Sequence, residues 1–520
     1  MQSIPTISPA FYFASLPILI LCMGSIVLML QTVLGSHNAR STKTVAFVLL
    51  SSLLAAFLAC VSINSEEVSF LAGAYLFDPF TRSIQAILLA IPFFLCLLTL
   101  RSPLAKKFFR SEIACLMLIS VLGMLVMVSS LDLVSIFIGL ELSSIGIYAM
   151  VGYVQPNRAS QEGAIKYFLL GSFATAILLF GIGLLYASSG SLNLLQMIAK
   201  LNDSQLHFWT KIGAIATISG LAFKLALAPF HLWSPDAYEA APTNITALMA
   251  TSVKIMIITI IVRLFSLDPV ILEHQWAPAM LAMAGVSIIF GNILALVQTS
   301  IKRTLAYSAI SHSGYLGIAL AITNSANILA PQAIMFYLLG YSLSSLLAFG
   351  ILICLEDDKN QNLELNDLAG LAKRHPYAAL GLTIALISFA GLPPTVGFLG
   401  KFFIFNVAIQ QKFFSIVIIA AVGSAIALFY YLRIVVYMYM KNDAPNKLNS
   451  EKSYLNTSIL GCAGIAILLL GTVLPNASIK FLKSRLDIRP RAESIKLIEK
   501  KLEGRKFSQN VAPQVQKKYF

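Results

Sequence analysis

Leu221–Lys254 reads LAFKLALAPFHLWSPDAYEAAPTNITALMATSVK. It begins inside an apolar block of membrane-spanning length and carries Lys224 within that block. Pro229 then breaks the block, and a polar turn follows with Pro235, Asp236, Glu239 and Pro242. The chain re-enters an apolar run that holds a second lysine, Lys254, near its middle. An ammonium group in the centre of a hydrocarbon layer costs about 2.5–3.5 kcal/mol on insertion scales, so lysines placed this way are functional-site candidates. Two lysines, a helix breaker and a histidine (His231) in one hairpin point to charge movement through a membrane.

The rest of the chain supplies that membrane context. Of 520 residues, 58% are hydrophobic and 12% charged, whereas charged residues make up roughly a quarter of a soluble domain. The apolar residues fall in blocks of about 20, the length a helix needs to cross roughly 30 Å of hydrocarbon. Fourteen such blocks run from residues 11–33 to 455–475, with the block at 377–409 interrupted at Gly391-Leu392-Pro393-Pro394. The fold class is therefore an all-α polytopic membrane protein; the alternating ten-residue strands of a membrane barrel are absent. The first block is too long for a signal-peptide core and lacks a basic flank, so it reads as a retained helix.

Other chemistries find no support. The six cysteines lie in apolar segments without C-x-x-C spacing and read as small core residues rather than disulfide, iron–sulfur or zinc ligands. Neither a phosphate-binding G-x-x-x-x-G-K-[ST] loop nor a G-x-G-x-x-G fingerprint occurs. The net charge of +14 is concentrated at the end: from Asn476 onward, 12 Lys and Arg face 4 Asp and Glu. It speaks of topology and a basic tail rather than of nucleic acid. Loops after odd-numbered spans carry fifteen Lys and Arg, Lys302 and Arg303 among them, against five, including Arg263, on the other side. The positive-inside rule then puts the odd loops in the cytoplasm and the N-terminus outside. That parity leaves the basic tail outside; its ESIKLIEKKL segment reads as an interfacial helix or as a solvated end.

Several charges lie where hydrocarbon is expected. Glu141 is about ten residues into LVSIFIGLELSSIGIYAMVGY, and a carboxylate there must be protonated or paired. Lys224 precedes Pro229 by five residues, and the proline removes the donor that the carbonyl of Leu225 would use. Broken helices with freed carbonyls recur at transporter ion sites. His231 would lie two turns beyond Lys224 on the same face if the helix continued. A second break, LPPTVGFLGKFFIF, frees the carbonyls of Phe389 and Ala390 and is followed by Lys401. His312, about ten residues past a basic turn, suits a proton shuttle between lysines, with a structural histidine as the alternative. Lys166 stands near a span edge and can snorkel, which weakens its claim. A carboxylate brought to about 4 Å favours an ammonium by ~4 kcal/mol at an effective dielectric of 20. Swinging Glu141 toward and away from Lys224 would thus load and release a proton.

At these residues the chain resembles the antiporter-like membrane subunits of respiratory complex I, most of all its N-chain (subunit 2) type. The motifs are GLELSSIGIYAMVGY, EGAIKYFLLGSF, LAFKLALAPFHLWSPDAYEAAPT, QTSIKRTLAYSAISHSGYLG and FAGLPPTVGFLGKFFIF. Subunits of multisubunit sodium/proton antiporters look similar around PFHLWSPDA and form the alternative reading. The resemblance implies three N-terminal helices (1–110), two inverted five-helix repeats (111–266 and 277–440), a fourteenth helix (441–478) and a basic tail (479–520). It implies a proton-translocating subunit of an NADH:quinone oxidoreductase, with Glu141 and Lys224 as the loading pair, Lys254 and His312 as the connection and Lys401 as the exit. No cofactor is expected in this chain: flavin, iron–sulfur clusters and quinone would sit in partner subunits. The implied surroundings are a bacterial cytoplasmic membrane and neighbouring antiporter-like subunits. Ala240 stands where glycine is usual, and Asn244-Ile245 where a proline is common.

Overall fold

The structure, a computed structural model, describes residues 9–34, 42–62, 68–70, 73–103, 105–153, 158–202, 208–267, 270–323, 329–356, 362–442 and 454–472. The basic tail lies outside them. Among the described residues, ten helices are long and apolar enough to cross a membrane, with shorter apolar helices at Pro376–Ala390, Val396–Gln410 and Asn456–Thr472.

In chain order, α1 (Pro9–Leu34) and α2 (Thr42–Ser62) lead into a small hairpin of β1 (Val68–Phe70) and β2 (Tyr75–Phe77), paired antiparallel with Val68 opposite Phe77. Next come α3 (Pro79–Leu100), the single turn α4 (Ala105–Phe108), α5 (Ser111–Ser129), α6 (Leu133–Val151), α7 (Arg158–Ser189) and α8 (Leu194–Asn202). The first interrupted span consists of α9 (Phe208–Lys224) and the short α10 (Trp233–Ala240). Then follow α11 (Thr243–Leu248), a π-helical turn (Met249–Val253) and α12 (Lys254–Leu267), together one span. The second half holds α13 (Val270–Leu296), α14 (Ile301–Ala321), α15 (Leu329–Leu355) and the turn α16 (Leu371–Arg374). Its interrupted span is α17 (Pro376–Ala390) and α18 (Val396–Gln410), before α19 (Phe414–Met440) and α20 (Tyr454–Thr472). Each of the fourteen expected spans thus coincides with a described helix or interrupted helix.

Helix starts follow local chemistry. Asp78 caps α3 by accepting the Thr81 amide at 2.7 Å, with Pro79 at the first position, where its missing N–H costs nothing. Asp132 caps α6 by accepting the Val134 and Ser135 amides. Packing between α5 and α6 rests on small residues: a Cβ added to Gly123 would meet the Ser143 amide at 2.5 Å, and one on Gly139 the Met127 amide at 2.7 Å. Such close backbone approach is the usual way membrane helices gain dispersion contact. One end of the bundle is sewn by bridges between Tyr75 and Ser130 and between Asp132 and Asn193; at the other, Ser300 pairs with Glu364. Large apolar side chains on α1, α7 and α19 remain exposed, whereas every residue from 243 to 265 is buried. A core of that kind places the α11–α12 span at the centre.

Candidate functional site: buried lysines at two helix breaks

Lys224 is the last residue of α9, not a mid-helix residue as the apolar block at 209–230 suggests. The helix ends there because Ala226 takes a left-handed conformation (φ 55°) ahead of Pro229. The buried ammonium of Lys224 donates to Ser144 Oγ at 2.9 Å and to Tyr148 Oη at 2.6 Å, both on α6. It also lies 4.9 Å from the centroid of the Tyr148 ring, a cation–π distance. Glu141 stands on the same helix, three residues before Ser144 and seven before Tyr148, so all three share one stripe. Its Oε1 is buried without a hydrogen-bond partner, and among the described ion pairs none joins it to Lys224. The two hydroxyls stand where direct pairing was expected.

The break itself is satisfied by side chains from the second half. The carbonyl of Leu225, just past the end of α9, accepts the Ser313 hydroxyl of α14 at 2.7 Å. The Phe223 carbonyl accepts Trp233 Nε1 at 2.9 Å, and the Ala228 amide donates to Ser287 Oγ of α13 at 2.8 Å. Irregular backbone at membrane depth persists only when protein groups take over its hydrogen bonds in this way. His231 follows the break, so the expected stacking two turns above Lys224 does not occur, because the helix does not continue. Its ring is buried, and Nδ1 has no hydrogen-bond partner among the described residues.

Lys254 opens α12 immediately after the π-helical turn, a local widening that frequently marks functional sites. Its ammonium donates to the Ala309 carbonyl at 2.5 Å and to Ser313 Oγ at 2.8 Å, and lies 5.0 Å from the Tyr341 ring centroid. His312, the neighbour of Ser313, has a hydroxyl on each ring nitrogen: Tyr337 at 2.5 Å from Nδ1 and Tyr431 at 3.3 Å from Nε2. Tyr431 continues to Ser308.

At the second break, Gly391 ends α17 in the left-handed region (φ 78°), and α18 restarts at Val396. Lys401 reaches back from α18 to donate to the Ala390 carbonyl at 3.0 Å and to Ser424 Oγ at 2.9 Å. Ala390 O is one of the two carbonyls that the prolines were expected to free. The ammonium also sits 4.9 Å from the Tyr315 ring centroid. Buried lysines at two breaks, each held by a hydroxyl and an aromatic face, can take up and release protons.

Lys166 does not join this set. Its side chain is half exposed and paired with Glu162 at 2.7 Å and Asp236 at 3.1 Å; Asp236 and Glu239 are in turn held by Arg303. Two buried ion pairs escaped the sequence reading. Lys302, counted there as a loop charge, is 2% exposed, lies 3.5 Å from the equally buried Glu356 and donates to the Ala241 carbonyl. Arg263, likewise counted as a loop charge, is 1% exposed and lies 3.0 Å from both carboxylate oxygens of Asp78. Hydropathy places both at span edges, where snorkelling and burial look alike; the acidic partners at the opposing edges were the available signal.

Residues 130–427 match the family model described as "NADH:quinone oxidoreductase/Mrp antiporter, TM". The chain is 35% identical to NADH-quinone oxidoreductase subunit N of Bdellovibrio bacteriovorus, over 88% of its own length and 94% of that protein. Among solved structures, a chain of respiratory complex I from Thermus thermophilus superposes with a TM-score of 0.76 at 30% identity, covering 89% of this chain and 98% of that one. A chain of the Mrp complex from a Dietzia species reaches 0.81 at 18% identity, covering 93% and 99%, a likeness of fold alone.

Proposed function

From the membership of this chain in the antiporter-like membrane family shared by NADH:quinone oxidoreductases and Mrp antiporters, we propose that it is a proton-translocating membrane subunit of an NADH:quinone oxidoreductase. It works beside neighbouring antiporter-like subunits, while flavin, iron–sulfur clusters and quinone belong to other subunits. The membrane is the bacterial cytoplasmic membrane with the N-terminus outside. The charge bias supports that orientation even after Lys302 and Arg263 are removed from the count, since one leaves each side.

One observation carries the mechanism. The backbone break beside Lys224 is hydrogen-bonded, at the Leu225 carbonyl, to the residue that also receives Lys254, so Ser313 joins the connecting lysine to the chain next to the loading lysine. Glu141 loads Lys224 by its through-space charge; Ser144 and Tyr148 hold the ammonium until that charge changes. Lys254 and His312 connect the first half to Lys401, whose charge and that of Lys254 both reach the His312 ring. Lys401 then releases the proton past its own break. His231 belongs to the mouth of the first break, and Lys166 to the exposed charge cluster beside it.

NADH-driven pumping in membrane vesicles tests this. Lys224→Ala and Glu141→Ala should each abolish pumping in complexes that still assemble. Unchanged pumping in both would reduce the buried charges to packing elements. The Mrp-type alternative predicts instead that the gene alone rescues salt-sensitive growth.

A further inference from the structure

Ser313 occupies a position that the proton pathway does not explain by itself. Its hydroxyl has one hydrogen and faces three groups: the Leu225 carbonyl at 2.7 Å, the Ala309 carbonyl at 3.0 Å and the Lys254 ammonium at 2.8 Å. The ammonium can only donate, so it takes a lone pair of Ser313 Oγ and leaves the serine hydrogen to a carbonyl. The Ala309 carbonyl already receives Lys254 at 2.5 Å, which leaves Leu225 as the carbonyl with no other donor among the described hydrogen bonds. Leu225 is the residue next to Lys224, and its carbonyl lies past the end of α9, beyond the helical ladder. Ser313 is fully buried, so no bulk water stands in for the hydroxyl.

We infer that Ser313 is a positioning residue that couples the proton on Lys254 to the helix break beside Lys224. With Lys254 charged, the ammonium fixes the direction of the serine hydroxyl and the break is held through Leu225. When the Lys254 proton moves on, the neutral amine presents a lone pair. The serine hydrogen can then turn to Nζ, and the Leu225 carbonyl loses its donor. No bond is made or broken at Ser313: one hydroxyl rotates, and the proton that leaves Lys254 is the one already being translocated. Among the described residues, the Tyr341 ring of α15 faces Lys254 and His312 of α14 adjoins Ser313; neither touches Leu225 in the described hydrogen bonds. The first half is thereby told the state of the connection before it reloads.

This rests on the proton-translocating reading above, and the experiment separates the two. In the complex assembled in its own membrane, NADH-driven pumping per assembled complex is measured for Ser313→Ala, Ser313→Thr and Lys224→Ala. Ser313→Ala should pump about ten-fold more slowly, the scale of one lost hydrogen bond to a charged group. Ser313→Thr, which restores the hydroxyl, should recover at least half the wild-type rate. Ser313→Ala at the wild-type rate beside an inactive Lys224→Ala would overturn the coupling and leave the function standing. Equal losses in the alanine and threonine variants would also overturn it, because the loss would then track packing and not the hydroxyl. Wild-type pumping in Lys224→Ala would remove the reading on which the coupling rests.

Discussion

Asp78→Ala offers a test of the architecture that does not depend on function. Asp78 faces Arg263 with both carboxylate oxygens 3.0 Å from Nη2, and both side chains are buried. The same carboxylate caps α3 through the Thr81 amide. Truncating it leaves a buried guanidinium without a counter-charge, a change that costs about 3–5 kcal/mol. Loss of the cap adds about 1 kcal/mol. Arg263 retains Thr81 Oγ1 at 2.7 Å and the Val128 carbonyl at 3.3 Å, which holds the expected total near the lower end, about 4 kcal/mol. Adding Arg263→Met removes the stranded charge and should recover about 3 kcal/mol, since a paired charge is worth little more than an apolar filling of the same volume. The assay is unfolding of the purified chain in mixed micelles by added dodecyl sulfate, read by circular dichroism and extrapolated linearly. A single variant within ~1 kcal/mol of wild type, or a double variant as unstable as the single, would refute the assignment of Arg263 to a buried pair.

Gly391→Ala should impair pumping strongly: the position has φ 78°, and a Cβ there would lie 2.8 Å from Lys401 Cδ. The left-handed backbone alone costs roughly 1–2 kcal/mol for a non-glycine residue, and Lys401 must also shift; pumping within two-fold of wild type would count against Lys401 as the exit site. Lys166→Ala should leave both stability and pumping close to wild type, because its pairs are exposed ones. A collapse of pumping in this variant, measured in the same vesicles, would move Lys166 into the pathway.

Much of this was legible in residue types. Block lengths give all fourteen spans, because a bilayer imposes a minimum length on any apolar helix. Proline chemistry gives the two breaks, and at Ala390 it names the carbonyl that a lysine comes to occupy. What the sequence conceals is what those groups reach. Serine and tyrosine are ordinary in membrane helices, so Ser144, Tyr148, Ser313, Tyr337 and Tyr431 carry no local mark of their role. The end of α9 depends on the left-handed Ala226, a conformation that alanine seldom adopts and no propensity signals. Buried pairs such as Lys302–Glu356 join residues more than fifty positions apart, and edge position alone cannot distinguish them from snorkelling charges.

The enclosed α11–α12 span also bears on how the chain is made. A helix that ends wholly surrounded by protein must still enter the bilayer from the ribosome, before its neighbours have closed around it. Residues 243–266 contain eleven Leu, Ile, Val and Phe, favouring insertion by roughly 3–7 kcal/mol, against about 3 kcal/mol for Lys254 at the centre and a smaller cost for Arg263 near the end, where it can snorkel during insertion. The isoleucines of α12 therefore serve the moment of synthesis, when lipid is their only solvent. Polar replacements along this helix would be lost as uninserted nascent chain, even where the finished bundle has room for them.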